Sequence, residues 1–133
     1  MPDIPDRNIV LRMWEPSPTT QWEKDKKFYD KKHPRELAAV LNNLGRFISL
    51  LNCSKNAKCA IAGYAHPEPH GIVAIDQRAG GPNLQETRMY VFPDEAEQVL
   101  YLITIGNKDT QHDDIQLSKK FVTDHFPSLF EKP

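Results

Sequence analysis

Residues 33–52, HPRELAAVLNNLGRFISLLN, carry the clearest periodicity in the chain. Apolar side chains recur there at spacings of three and four residues, which places them along one side of an α-helix. These apolar residues are Leu37, Val40, Leu41, Leu44, Phe47, Ile48 and Leu51. Pro34 suits the first turn of such a helix, and Glu36 favours the positive end of its dipole. The segment therefore predicts a long helix whose apolar stripe belongs to the core.

The segments on either side of this helix predict strands and two further helices. Alternating apolar residues indicate strands at residues 7–14, 71–78, 84–92 and 98–105, the last three joined by turns short enough for hairpins. Residues 15–20, EPSPTT, are expected to break the first strand and to start a helix, at Ser17 or at Thr19. A last helix is expected after a cap at Asp109 or Thr110, and Pro127 ends it. Residues 52–71, with prolines at 67 and 69, are expected to be an irregular loop.

This element order predicts an α+β domain. We expect an antiparallel sheet of about four strands, with two N-terminal helices packed on one face and a C-terminal helix. A chain of 133 residues with 39% hydrophobic residues can build one core, so residues 1–133 are expected to form a single domain.

Charge and hydropathy restrict the classes of function. No run approaches the roughly 20 apolar residues of a membrane span, and the N-terminus lacks the pattern of a signal peptide. We therefore expect a cytoplasmic protein with no membrane partner. The net charge is −1, but residues 1–60 hold 11 Lys/Arg against 7 Asp/Glu, whereas residues 61–133 hold 6 against 11. Any contact with nucleic acid must then use a local basic patch.

The stretch LYLITIGNKDTQHDDIQ, residues 100–116, changes character at Gly106. A hydrophobic strand ends there, and Lys108, His112 and three acids follow. Histidine can act as a general acid or base near neutral pH, so His112 is a candidate catalytic residue. The alternative is a solvated helix start in which Asp113 and Asp114 favour the helix dipole.

Residues 87–115, TRMYVFPDEAEQVLYLITIGNKDTQHDDI, resemble the RelE/ParE superfamily of toxins from bacterial type II toxin–antitoxin systems. The shared features are an arginine on one hairpin strand, a hydrophobic next strand, its terminal glycine and a basic residue after it. Residues 7–51 match in element order only. The resemblance implies a RelE-like fold, a cognate antitoxin as partner and, in the RelE branch, cleavage of messenger RNA on the ribosome without a metal or cofactor.

The resemblance also implies roles for individual residues. In the RelE branch a 2′-hydroxyl attacks the adjacent phosphate, so cations are needed where negative charge gathers. Arg88 would neutralise that charge, and Lys108 would hold the phosphate or assist the leaving oxygen. Arg78 lies on the strand where the family carries lysines, and Tyr90 would offer a ring to an RNA base. Arg88 has a plainer alternative, which is an ion pair with Glu86 or Asp76.

The chain departs from the RelE pattern at two positions. Asp76 lies on the strand that usually carries lysines, and Asp114 falls where the family often has a tyrosine. These departures leave two alternatives open, a ParE-like inhibitor that binds a protein target such as gyrase and a non-toxic binding module on the same scaffold. A metal site formed by Cys53, Cys59, His66, Glu68 and His70 is not expected, because their spacing matches no established motif.

Overall fold

The computed structural model describes residues 13–53, 63–77 and 86–130. Across these ranges, five strands form one sheet in the order β1-β5-β4-β3-β2. The strands are β1 (Glu15–Pro18), β2 (Ala65–Pro67), β3 (Val73–Asp76), β4 (Thr87–Asp94) and β5 (Val99–Asn107). The helices are α1 (Thr20–Lys32), α2 (Pro34–Cys53) and α3 (Gln111–His125). The predicted α+β class is confirmed.

The first strand corrects the sequence prediction. Residues 7–12 of the predicted first strand lie outside the described ranges. The structure has a strand at Glu15–Pro18, where a break was expected, and this strand pairs in parallel with β5. The amides of Glu15 and Thr19 donate to the carbonyls of Gln98 and Leu102 at 3.0 and 2.9 Å. Pro16 and Pro18 therefore fall at the alternate positions, where an N–H group would point away from β5. Because proline lacks that N–H group, β1 loses no hydrogen bond to β5. This makes the sheet mixed rather than wholly antiparallel.

The second correction concerns the predicted loop at residues 52–71. Residues 65–67 form a short edge strand antiparallel to β3, with Ala65 opposite Ile75 and Pro67 opposite Val73. Proline is tolerated there because the strand has one neighbour and needs no donor on its outer side. Residues 54–62 of the same segment lie outside the described ranges.

The two N-terminal helices pack on one face of the sheet, as predicted. Thr19 caps α1, because its side chain accepts a hydrogen bond from the amide of Trp22. Helix α2 begins at Pro34, one residue from the predicted start. Its apolar stripe joins Trp22 and Tyr29 of α1 and inward side chains of the sheet in one core cluster. The sheet residues of that cluster include Val73, Ile75, Met89, Val91, Leu100, Leu102 and Ile105.

The C-terminal helix covers the opposite face. Val122 of α3 is fully buried with Ile72, Tyr90 and Ile103 in a second cluster, and α3 packs on β4 and β5. A shift of register between Tyr90 and Val91 interrupts the β4–β5 ladder. None of the described helices is long and apolar enough to cross a membrane.

Candidate functional site

Three residues on neighbouring strands form a row near one end of the sheet. Asp76 of β3 lies opposite Arg88 of β4, and Arg88 lies opposite Gly106 of β5. Residues directly opposite on adjacent strands share a face, and here it is the face that α3 covers. Lys108 follows Gly106 by two residues, and α3 begins at Gln111, so Arg88, Lys108 and the polar stretch after β5 belong to one end of the sheet.

Gly106 explains why the hydrophobic strand gives way to polar residues. A Cβ atom at position 106 would overlap the side chains of Asp114 and Thr110, so only glycine lets them lie against the strand. Asn107 then turns the chain, since its side-chain oxygen accepts hydrogen bonds from the amides of Asp109 and Thr110 at 2.8 and 3.1 Å. Asn107 thus caps the 3₁₀ turn Lys108–Thr110 that leads into α3, whereas Thr110, the cap position of α3 itself, makes no side-chain capping hydrogen bond.

The Asp114 carboxyl is partly buried by this close approach. The Thr110 hydroxyl donates to its Oδ2 at 2.7 Å. Burial raises the pKa of Asp114 above its ordinary value, the Thr110 hydrogen bond opposes that rise, and the charges of Asp25 and Asp113 add to it. Asp114 is therefore a partly buried carboxyl group beside Gly106. It lies at the position where the resemblance to the RelE branch leads one to expect a tyrosine.

Arg88 makes both of the ion pairs that the sequence left open. Its Nε lies 3.1 Å from Asp76 Oδ1, and one terminal nitrogen lies 3.5 Å from Glu86 Oε1. The Nε and Oδ1 atoms are not aligned for a hydrogen bond, so the contact is an ion pair. The Arg88 side chain is 21% exposed. Two carboxylates thus balance this cation before any ligand arrives.

Tyr90 lies two residues along β4 on the same face and is fully buried. Burial raises the pKa of its hydroxyl to about 12, Asp114 adds to the rise, and the neighbouring Arg88 opposes it. A ring with no exposed surface offers no platform to an RNA base, so we do not propose that role for Tyr90.

The remaining predicted residues differ in how accessible they are. Lys108 begins a short 3₁₀ turn, Lys108–Thr110, and is exposed, with no ion pair among the described residues. His112 is the second residue of α3 and is also exposed. Arg78 lies outside the described ranges, so its prediction is not tested.

His66 is a site residue that the sequence reasoning assigned only to a possible metal site. Its Nε2 lies 2.6 Å from Asp76 Oδ2, on the side of that carboxylate away from Arg88. Across the described residues, no group of three His, Cys, Asp or Glu side chains could hold a metal ion. The alternation of β2 and β3 could have suggested the pair, because it places both side chains on one face. That signal required β2 to be recognised as a strand.

A separate apolar groove of about 430 Å³ opens at the other end of β4. Its lining includes Pro67, Ile72, Phe92, Pro93 and Leu129. No lysine or arginine among the described residues lines it, so it is not suited to bind a phosphate.

No protein-family model matches the sequence, and no curated protein matches it. The fold is similar to the crystal structure of the toxin–antitoxin complex RelBE2 from Mycobacterium tuberculosis, with a TM-score of 0.42 and 16% sequence identity. The match covers 73% of this chain and 100% of the other.

Proposed function

We propose that this chain is the toxin of a toxin–antitoxin pair and inhibits translation as a RelE-like, ribosome-dependent endoribonuclease. The observation that supports this proposal is the row of Asp76, Arg88 and Gly106, which is followed by an exposed Lys108. Together with Lys108, the row brings the mid-strand arginine, the terminal glycine and the following cation, three of the four features of the family resemblance, to one end of the sheet. A cognate antitoxin is the partner that this function requires.

The proposed roles follow from charge and exposure. A phosphate attacked by a 2′-hydroxyl gathers negative charge in the transition state, and cations already in place stabilise it. Lys108 is accessible without rearrangement and would contact the scissile phosphate. Arg88 would contribute its charge only by exchanging one of its two carboxylate partners for the phosphate. Glu86, at 3.5 Å, is the more distant partner. Arg78 would add a further contact to RNA.

A second candidate function is a ParE-like, non-catalytic inhibitor that binds a protein such as gyrase. The two ion pairs of Arg88 favour it, because an arginine balanced by Asp76 and Glu86 serves the architecture of the sheet without any substrate. Such an inhibitor would need a surface rather than a reacting group.

Growth and transcript assays separate the two candidates. Wild-type protein, Lys108→Ala and Lys24→Ala are expressed from a tightly controlled promoter, and messenger RNA is examined on purified ribosomes. Lys24 is an exposed lysine of α1 and serves as the matched control. We expect the wild type and Lys24→Ala to arrest growth and cut the transcript, and Lys108→Ala to cut it at least about a hundredfold more slowly.

Arg88 needs a conservative variant because alanine would leave two carboxylates without a partner. Arg88→Lys keeps the charge and loses the planar fork of donors. We expect it to fold, as measured by circular dichroism, and to cut more slowly. Growth arrest with intact transcripts and inhibited DNA supercoiling would favour the ParE-like candidate. Absence of arrest by wild-type protein would refute both.

A further inference from the structure

His66 and Asp76 form a hydrogen-bonded pair at the candidate site. His66 lies on the edge strand β2 and Asp76 on its neighbour β3, and their side chains meet at 2.6 Å through Nε2 and Oδ2. The His66 side chain is 43% exposed, whereas that of Asp76 is 13% exposed. One member of the pair is therefore open to a ligand, and the other is held inside the protein.

Asp76 is fixed from several directions. Its amide donates to the carbonyl of Tyr64 at 2.8 Å, and its own carbonyl accepts from the side chain of Asn43 on α2 at 2.8 Å. The second oxygen of its carboxylate faces Arg88 at 3.1 Å. The carboxylate thus lies between a histidine and an arginine with little freedom to turn.

We propose that His66 is the general base of this site and that Asp76 is its positioning residue. A carboxylate that accepts from Nε2 places the imidazole proton there and leaves Nδ1 with a free lone pair. Nδ1 has no hydrogen-bond partner among the residues that the structure describes. The same carboxylate fixes the direction of the ring, as in other acid–base sites where a third group orients the base.

The inference rests on the RNA-cleaving function proposed above and gives its chemistry an acid–base group. His66 Nδ1 takes the proton of the 2′-hydroxyl while the 2′-oxygen forms a bond to phosphorus. The bond from phosphorus to the 5′-oxygen breaks, and that oxygen takes a proton from solvent. The imidazolium then returns its proton to solvent. The products are a 2′,3′-cyclic phosphate and a 5′-hydroxyl, with no net change in protons.

His112, the histidine that the sequence favoured, lacks this arrangement. It is exposed in the first turn of α3, and its ring makes no hydrogen bond or ion pair within the described ranges. Without an orienting partner, neither ring nitrogen is selected as the acceptor. His66 is therefore the better placed of the two.

Cleavage rates of ribosome-bound messenger RNA test the proposal. General acid–base catalysis contributes about 10² to 10⁴-fold, so His66→Ala should cut at least about a hundredfold more slowly than wild type. Imidazole added to the buffer should restore part of that rate, which a purely structural loss would not allow. His125→Ala, an exposed histidine at the end of α3, is the control and should cut like wild type.

The positioning role of Asp76 has a readout of its own. Asp76→Asn should lower kcat with little change in KM, and imidazole should not restore the rate because the ring of His66 is still present. His66→Gln, which keeps a donor for Asp76, guards against a folding defect and should be as slow as His66→Ala. Circular dichroism and thermal unfolding confirm that each variant is folded.

The outcomes separate this inference from the function on which it rests. If wild-type protein leaves the transcript intact, both fall. If wild type cuts and either folded His66 variant cuts as fast, only the His66 proposal falls. It also falls if His66→Ala is slow and imidazole has no effect, or if His112→Ala is the slow variant instead.

Discussion

Replacement of Gly106 by alanine should destabilise the protein through a steric clash between β5 and the start of α3. The new Cβ would overlap Oδ2 of Asp114 and the hydroxyl of Thr110. Asp114 could escape only by turning away, which would break its 2.7 Å hydrogen bond with Thr110. Backbone strain is not involved, because Gly106 does not adopt a positive φ.

The expected cost lies in the range measured for inserting a methyl group into packed surroundings, about 1 to 3 kcal/mol. For a domain of this size, that change lowers the melting temperature by about 3 to 15 °C. The cost should fall in the double variant Gly106→Ala/Asp114→Ala, because the closest clashing group is then absent. The double variant should therefore lose less stability than the sum of the two single variants.

Gly45→Ala provides the matched control. Gly45 lies on the exposed side of α2, and a Cβ there would meet nothing within 4 Å. Alanine should thus stabilise the helix by about 0.5 to 1 kcal/mol, since glycine loses more backbone freedom on folding. Urea unfolding of the two variants should give changes of opposite sign. An unchanged free energy of unfolding for Gly106→Ala would refute the steric account.

Three further predictions concern polar groups that hold the site. Burial raises the pKa of Asp114 in the folded state, so the folded protein binds the carboxyl proton more tightly than the unfolded chain does. The free energy of unfolding should therefore fall as the pH rises above the ordinary pKa of 3.8. Asp114→Asn should remove that fall in unfolding curves measured across pH. Asn43→Ala should lower the free energy of unfolding in urea by about 1 to 3 kcal/mol, because two backbone carbonyls at the end of β3 lose their donor. Its exposed neighbour Asn42 provides the control, and Asn42→Ala should change that free energy little. Asp25→Ala should lower the free energy of unfolding by a similar amount, about 1 to 3 kcal/mol, since the Asp25 carboxylate accepts two hydrogen bonds from β5. Asp30→Ala on the same helix is the control.

Long periodic elements were predictable from the sequence, and the short edge strands were not. The stripe from Leu37 to Leu51 repeats over many turns, so the helix prediction matched α2 closely. β1 is not predictable, because Pro16 and Pro18 indicate a break unless it is known which side of the strand faces β5. β2 was missed for a related reason, since three residues show no periodicity and Pro67 suggested a loop.

The candidate site was predictable only where it follows one segment of chain. Arg88, Gly106 and Lys108 lie in one hairpin and its exit, and their relative placement follows from the strand order. The contact between His66 and Asp76 depends on the β2–β3 register, which the sequence did not indicate. The sequence offers Glu86 and Asp76 as alternative partners of Arg88, but only side-chain positions decide between them, and the structure has both ion pairs.

The prolines of the two outermost strands limit how other chains can approach the sheet. An edge strand normally exposes a row of free amides and carbonyls, to which a further strand can add. Pro16 and Pro18 remove amides from the outer side of β1, and β2 is three residues long and ends in Pro67. A partner strand would find too few donors there to form a ladder. Self-association by pairing at these two edges is thus discouraged, and among the described parts of the chain the faces of the sheet, the helices and the apolar groove remain as surfaces for a binding protein.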